Sequence, residues 1–194
     1  MNTISTREVQ AGRLSRLIRV SVLQYGMVWA LLALLIVATI LYPGFFNPAN
    51  IKNILSQNAS VGIVAVGMTL VIIAGGFDLS VGAIFAIGAV LFANRADHAG
   101  LWGAAAIVLA ASLACGTING LIVTKLRVNP FIATLGTGSI FGGFAYLFSN
   151  SAPQTPDNFD FQILGTERWF GWPLPIWLLV AAFLIGGFVL AKTV

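Results

Sequence analysis

Six apolar blocks punctuate this chain, each bounded by polar or turn-forming residues: Val22–Tyr42, Ile54–Ala74, Leu79–Ala93, Leu101–Val123, Pro130–Phe148 and Pro173–Leu190. A hydrocarbon core about 30 Å thick takes about 20 residues at 1.5 Å each, which all but the short third block approach or reach. The pattern predicts an all-α membrane protein, a polytopic helix bundle of about six spans. Ser149 to Trp172 is the longest link between blocks and carries Asp157, Asp160, Glu167 and Arg168. Its Pro153, Pro156, Trp169 and Trp172 suit an ordered segment at the membrane surface, because Trp favours the headgroup zone and proline stiffens loops.

Composition agrees with a lipid solvent. Hydrophobic residues fill 58% of the 194 positions and charged residues 8%, against roughly 25% charged in a soluble domain. There are too few charges to coat a water-soluble fold.

Charge placement gives an orientation. Arg7, Arg13, Arg16 and Arg19 precede the first block, Lys125 and Arg127 lie between the fourth and fifth, and Lys192 follows the sixth. With alternating spans these fall on one side, predicting a cytoplasmic N-terminus and a basic cytoplasmic leader over residues 1–21. The other side receives Lys52, the Arg95/Asp97 pair and the Ser149–Trp172 link. Arg13, Arg16 and Arg19, with Leu14, Leu17 and Ile18 between them, fit either a short helix on the cytoplasmic leaflet or an unstructured basic leader. Such clustering points to anionic lipid headgroups and no nucleic acid. A signal peptide is disfavoured: Val22–Leu41 exceeds the roughly 7 to 15 residues of a signal core, and Tyr42–Phe46 offers no small-x-small cleavage site, so the block is expected to stay as the first span. Cys115 is the single cysteine and lies in an apolar block, excluding an intramolecular disulfide or a CxxC site.

Many of the 21 glycines sit inside the blocks. Gly116 with Gly120, and Gly138 with Gly142, form small-xxx-small patterns expected to let helix backbones approach closely.

Asp78 is the sole acidic residue between Ile54 and Ala93, in the run Gly75-Gly76-Phe77-Asp78-Leu79-Ser80-Val81-Gly82. The glycines can end one helix, Asp78 can cap the next through backbone N–H groups, and Ser80 adds a polar group in the first turn. Either Asp78 only fixes this turn or the interrupted helix lines a solute path, since irregular backbone at membrane depth needs protein or water beside it. Asn119 favours an interhelical hydrogen bond over ligand contact. Gln57 and Asn58 suit either an encounter with a polar solute or a plain interfacial role. Pro130 fits a first helical position behind an Asn129 cap. Thr134 and Thr137 share a face and either present hydroxyls to a pore or bond back to their own helix.

Catalytic constellations are missing. His98 is the lone histidine, in an expected polar loop beside Asp97, and no phosphate-binding GxxxxGK[ST] occurs. The reading is no enzyme, no metal and no cofactor, with any ATP hydrolysis on a separate chain.

Three blocks resemble the permease subunits of bacterial ribose-type ATP-binding-cassette importers, a family related to branched-chain amino acid permeases. They are Ala65-Val66-Gly67-Met68-Thr69-Leu70-Val71-Ile72 running into Gly75–Gly82; Asn119-Gly120-Leu121-Ile122-Val123; and Asn129-Pro130-Phe131-Ile132-Ala133-Thr134-Leu135-Gly136-Thr137. Phe77, Ala83 and Gly142 depart from the usual isoleucine, serine and arginine. The resemblance implies a type II importer permease fold, with residues 22–194 a partial transmembrane permease domain that ends near the family's cytoplasmic coupling loop. It further implies a bacterial inner-membrane location, a second permease copy, a cytoplasmic ATPase subunit, a periplasmic sugar-binding protein and a monosaccharide cargo. An ATP-independent secondary transporter or channel is the competing reading, which normally shows more ionisable groups within the membrane than Asp78.

Overall fold

Uninterrupted apolar sequence, with Pro or a small polar residue at its edges, folds into helices whose backbone groups are satisfied within each segment, as a bilayer requires. The computed structural model describes residues 25–156 and 162–193. The leader with its four arginines and the helix considered for it lie outside the described residues, as do Val22 to Gln24, Asp157, Asp160 and Val194. The chain divides into two compact units between Asn53 and Ile54.

In the first unit, α1 (Gly26–Leu41) has 16 residues and none of them is buried. After Tyr42–Phe46, the Asn47 carboxamide oxygen accepts the Ala49 N–H at 3.0 Å, and Pro48 opens α2 (Pro48–Gln57). The unit boundary falls inside this polar helix.

α3 (Ala59–Ile73) follows a 50° bend at Asn58, whose side-chain amide donates to the Ile54 carbonyl at 2.8 Å. The expected single block Ile54–Ala74 is therefore two helices, the first beginning earlier than its hydropathy suggested.

α4 (Val81–Thr124) replaces the third and fourth expected spans and runs through the expected polar loop. Asn94 to Ala99, with Arg95, Asp97 and His98, are helical; the break comes at Gly100, φ 68° and ψ 174°, a backbone region essentially reserved for glycine. A straight helix would hold Gly88 and Val108 about 30 Å apart, yet a Cβ on Gly88 would lie 3.3 Å from Val108 Cγ1. The two halves of α4 thus pack side by side and antiparallel.

α5 (Pro130–Phe148) begins as predicted: Asn129 Oδ1 accepts the Phe131 N–H at 2.9 Å, and Pro130 supplies the first helical residue. α5 packs along α4, with the Asn94 side-chain amide donating to the Phe148 carbonyl at 2.8 Å. Past the undescribed residues come a single turn, α6 (Ile163–Thr166), and a hairpin of β1 (Arg168–Trp169) and β2 (Trp172–Pro173), pairing Arg168 with Pro173 and Trp169 with Trp172. α7 (Leu174–Thr193) follows directly. Among the described residues, three helices (α4, α5, α7) are long and apolar enough to cross a membrane, four if α2 and α3 form one bent span.

Close helix packing occurs at other glycines than expected. A Cβ would meet Leu179 Cδ1 at 2.6 Å from Gly62 and Val66 Cγ1 at 2.5 Å from Gly186, which brings α3 and α7 together. Of the two predicted patterns only Gly138 is closely approached, since a Cβ there would lie 3.2 Å from Ser80 Cα; Gly116, Gly120 and Gly142 have open space beside them. Small residues (Ala59, Ala96, Ala104, Cys115, Ala133, Ala145) outnumber large ones (Ile87, Phe141, Leu174) among the buried hydrophobic positions, while many bulky residues such as Leu34, Leu109 and Leu184 are exposed. This inversion suits a lipid-facing surface and small-residue helix contacts.

Candidate functional site

The polar groups that sequence placed in the membrane converge on the turn between α3 and α4. α3 ends in a Schellman motif: Gly75 adopts φ 79°, its N–H reaches the Ile72 carbonyl at 2.9 Å, and the Gly76 N–H reaches the Val71 carbonyl at 2.9 Å. The chain then extends through Phe77 and Asp78 before α4 starts.

Asp78 does not cap α4 in the expected manner. Ser80 occupies the N-cap position, and Asp78 Oδ1 accepts both the Ser80 N–H at 2.8 Å and the Ser80 hydroxyl at 2.6 Å. The carboxylate closes an Asx turn just ahead of the helix, where the dipole of α4 favours its charge.

Ser80 is fully buried and passes the contact on. Because its only hydroxyl hydrogen goes to Asp78, its oxygen must act as acceptor toward a third residue. That residue is Asn119 in the second half of α4, whose Nδ2 lies 2.7 Å away. The direction of the relay fixes the amide orientation and leaves Asn119 Oδ1 buried without a partner among the described residues. An unsatisfied buried acceptor costs about 1–3 kcal/mol.

Thr134 of α5 holds the other side of the turn. Its hydroxyl accepts the Leu79 N–H at 3.0 Å and donates toward its own helix at Pro130 O, 2.8 Å, with Phe77 O at 3.3 Å. Extended backbone between two helices is thus satisfied by a side chain from a third. Thr137 is buried one turn on and bonds only within α5, to Ala133 O at 3.1 Å and Thr134 O at 3.4 Å.

Gly76, Asp78, Asn119, Thr124 and Thr134 line a cavity of about 290 Å³, walled otherwise by apolar residues and by Gly116 and Gly120. Gly75 sits at the turn without lining it. Gly82 faces elsewhere, onto a groove of about 360 Å³ shared with Ser60 and Phe85. A larger cavity of about 690 Å³ between α3 and α4 is apolar apart from Ser112 and Gln154, and offers a polar solute little. Asn58 bonds back to the preceding helix, α2. Sequence reasoning missed Gly138 as the point where α5 touches the turn, and it missed the Thr134 contact with Leu79. Spans 55 positions apart carry no local signal of that pairing. Among the described residues, no cluster of His, Cys, Asp or Glu could hold a metal ion.

Residues 50–193 match the family model described as branched-chain amino acid transport system / permease component. The chain is 41% identical over 172 residues to the ribose import permease protein RbsC of Bacillus subtilis (strain 168), covering 87% of this chain and 53% of that protein. It is 37% identical over 173 residues to the L-arabinose transport system permease protein AraH of Escherichia coli (strain K12), covering 88% of this chain and 52% of the relative. The chain spans about half the length of the curated relatives it matches. No solved structure matches it. Its apolar helices and a family match running from α2 to the end of α7 identify the chain as an integral membrane protein belonging to the branched-chain amino acid transport system permease component family.

Proposed function

We propose that the chain is part of the permease subunit of an ATP-binding-cassette importer, carrying a monosaccharide such as ribose or arabinose across the bacterial inner membrane. The observation that carries this reading is the similarity to ribose and arabinose permeases along nearly the whole chain. The fold is read as six spans: α1, α2 with α3, the two halves of α4, α5 and α7. The N-terminus and the 125–129 link then lie in the cytoplasm, and the 149–173 link in the periplasm. A second permease copy, an ATPase subunit and a periplasmic sugar-binding protein complete the assembly.

In this reading the turn at Asp78 lies on the solute path, and its cavity passes a small polyol without chemistry. The test is uptake of labelled D-ribose and L-arabinose by vesicles holding the full-length gene product. Uptake is expected only with ATP, the ATPase and the binding protein together. Uptake by the permease alone under an ion gradient would assign the protein to secondary transport, with Asp78 the residue that senses the ion.

A further inference from the structure

The hairpin ahead of α7 carries two costs that its own fold does not offset. Its turn, Phe170-Gly171, has φ 53° and 77°. That is the left-handed pair which Asn-Gly adopts readily and which an aromatic residue resists. Phe170 is also 92% exposed, at the tip, the most exposed large apolar side chain among the described residues.

The hairpin is held in place. The Leu174 N–H donates to the Glu167 carbonyl at 2.9 Å, and Trp177 Nε1 donates to the Trp169 carbonyl at 3.1 Å. Phe170 meets the Trp177 ring edge-on at 6.0 Å. Trp177 lies in the first turn of α7 and helical side chains lean toward the N-terminus, so the two rings meet where the apolar helix begins. Exposed Trp169, Phe170 and Trp172 thereby add apolar surface beside the first turn of α7, a helix long and apolar enough to cross a membrane.

We infer that this hairpin is an interfacial anchor whose tip, Phe170, inserts into the boundary between lipid headgroups and acyl chains. The lipid covers the exposed ring, and Trp169, Trp172 and Trp177 sit at headgroup level around it. The inference concerns lipid contact and stands apart from what the protein transports. It is favoured over a soluble partner by the hairpin's place at the start of α7, a helix apolar from Leu174 to Ala191 and long enough to cross a membrane.

The test places a nitroxide at Phe170→Cys in a Cys115→Ala background, in phosphatidylcholine–phosphatidylglycerol vesicles, with Thr155→Cys as the comparison. The label at 170 should be severalfold more accessible to oxygen than to a water-soluble nickel chelate, relative to the label at 155. Equal access of the chelate to both would overturn the inference in favour of a water-facing surface. Shielding from oxygen and chelate alike would overturn it in favour of a protein contact. An independent reading leaves the hairpin intact: with Trp29→Phe and Trp102→Phe, the remaining tryptophans should be quenched more by lipid brominated near the headgroup than near the chain end. Absence of quenching by either lipid rejects the anchor.

Discussion

Asn119 reaches Ser80 across the two halves of α4, amide nitrogen to hydroxyl at 2.7 Å, although 39 positions separate them. The bond ties the start of one leg of the α4 hairpin to the end of the other, beside the turn that carries Asp78. Because Ser80 also serves Asp78, the three residues form one chain of donors running from Asn119 to the carboxylate.

The direction of that chain predicts an unequal pair of substitutions. Ser80→Ala strands the Asn119 amide entirely, whereas Asn119→Leu removes an acceptor that was already unpaired and leaves the Ser80–Asp78 bond intact. Ser80→Ala should therefore be the more destabilising, by about 1–3 kcal/mol. Unfolding of both variants in mixed detergent micelles checks the order, and a less stable Asn119→Leu would contradict the relay.

At Asp78, shape and charge can be separated. Asp78→Asn keeps an oxygen for the Ser80 N–H and hydroxyl; Asp78→Ala loses both bonds. With the full-length protein in vesicles, Asn is expected to retain sugar uptake within a few-fold, while Ala lowers the amount of folded protein. Complete loss of uptake by well-folded Asp78→Asn would mean that the charge itself takes part in transport.

Glycine substitutions should follow the neighbour each Cβ meets. Gly186→Ala drives a Cβ to 2.5 Å from a methyl of Val66, a β-branched side chain with little rotamer freedom. Gly62→Ala meets the mobile end of Leu179, and Gly120→Ala meets nothing within 4 Å. The expected order of stability is Gly120→Ala above Gly62→Ala above Gly186→Ala, with Gly120→Ala stabilising by up to about 1 kcal/mol through helix propensity alone. Thermal melts of the three variants read this order directly.

Gly100→Ala tests the break in α4. A side chain there is strained whatever space surrounds it, at a cost of about 1–3 kcal/mol, because the residue sits at φ 68° and ψ 174°. Gly116→Ala, in the second half of the same helix, places a Cβ with nothing within 4 Å of it. It should cost less; equal melting temperatures would show that the break is not set by Gly100.

The parts of the fold open to sequence reasoning were those with local causes. Asn129 and Pro130 marked the start of α5 because cap and first-turn proline act on adjacent residues. The same Asn-Pro pair at Asn47 and Pro48 marks the start of α2, and it was overlooked because the helix it opens is polar. Arg95, Asp97 and His98 give Asn94 to Ala99 the polarity of a loop, although charge is no obstacle to a helix at a membrane surface; the glycine after them is the better signal. At the candidate site, Asp78, Ser80, Asn119 and Thr134 were each singled out by polarity within apolar sequence. Their convergence was not legible, since contacts 39 and 55 positions apart leave no periodicity behind. The hairpin escaped notice because Phe170-Gly171 lacks the asparagine that advertises such a turn.

The contacts around the turn also impose an order on biosynthesis. A chain inserted span by span delivers Phe77, Asp78 and Leu79 to the membrane before Asn119, and Asn119 before Thr134. The Leu79 N–H has no partner of its own until α5 arrives, 55 residues later. During that interval the turn must keep water, or the insertion machinery, beside it. The arrival of Thr134 gives that N–H a protein acceptor in place of water.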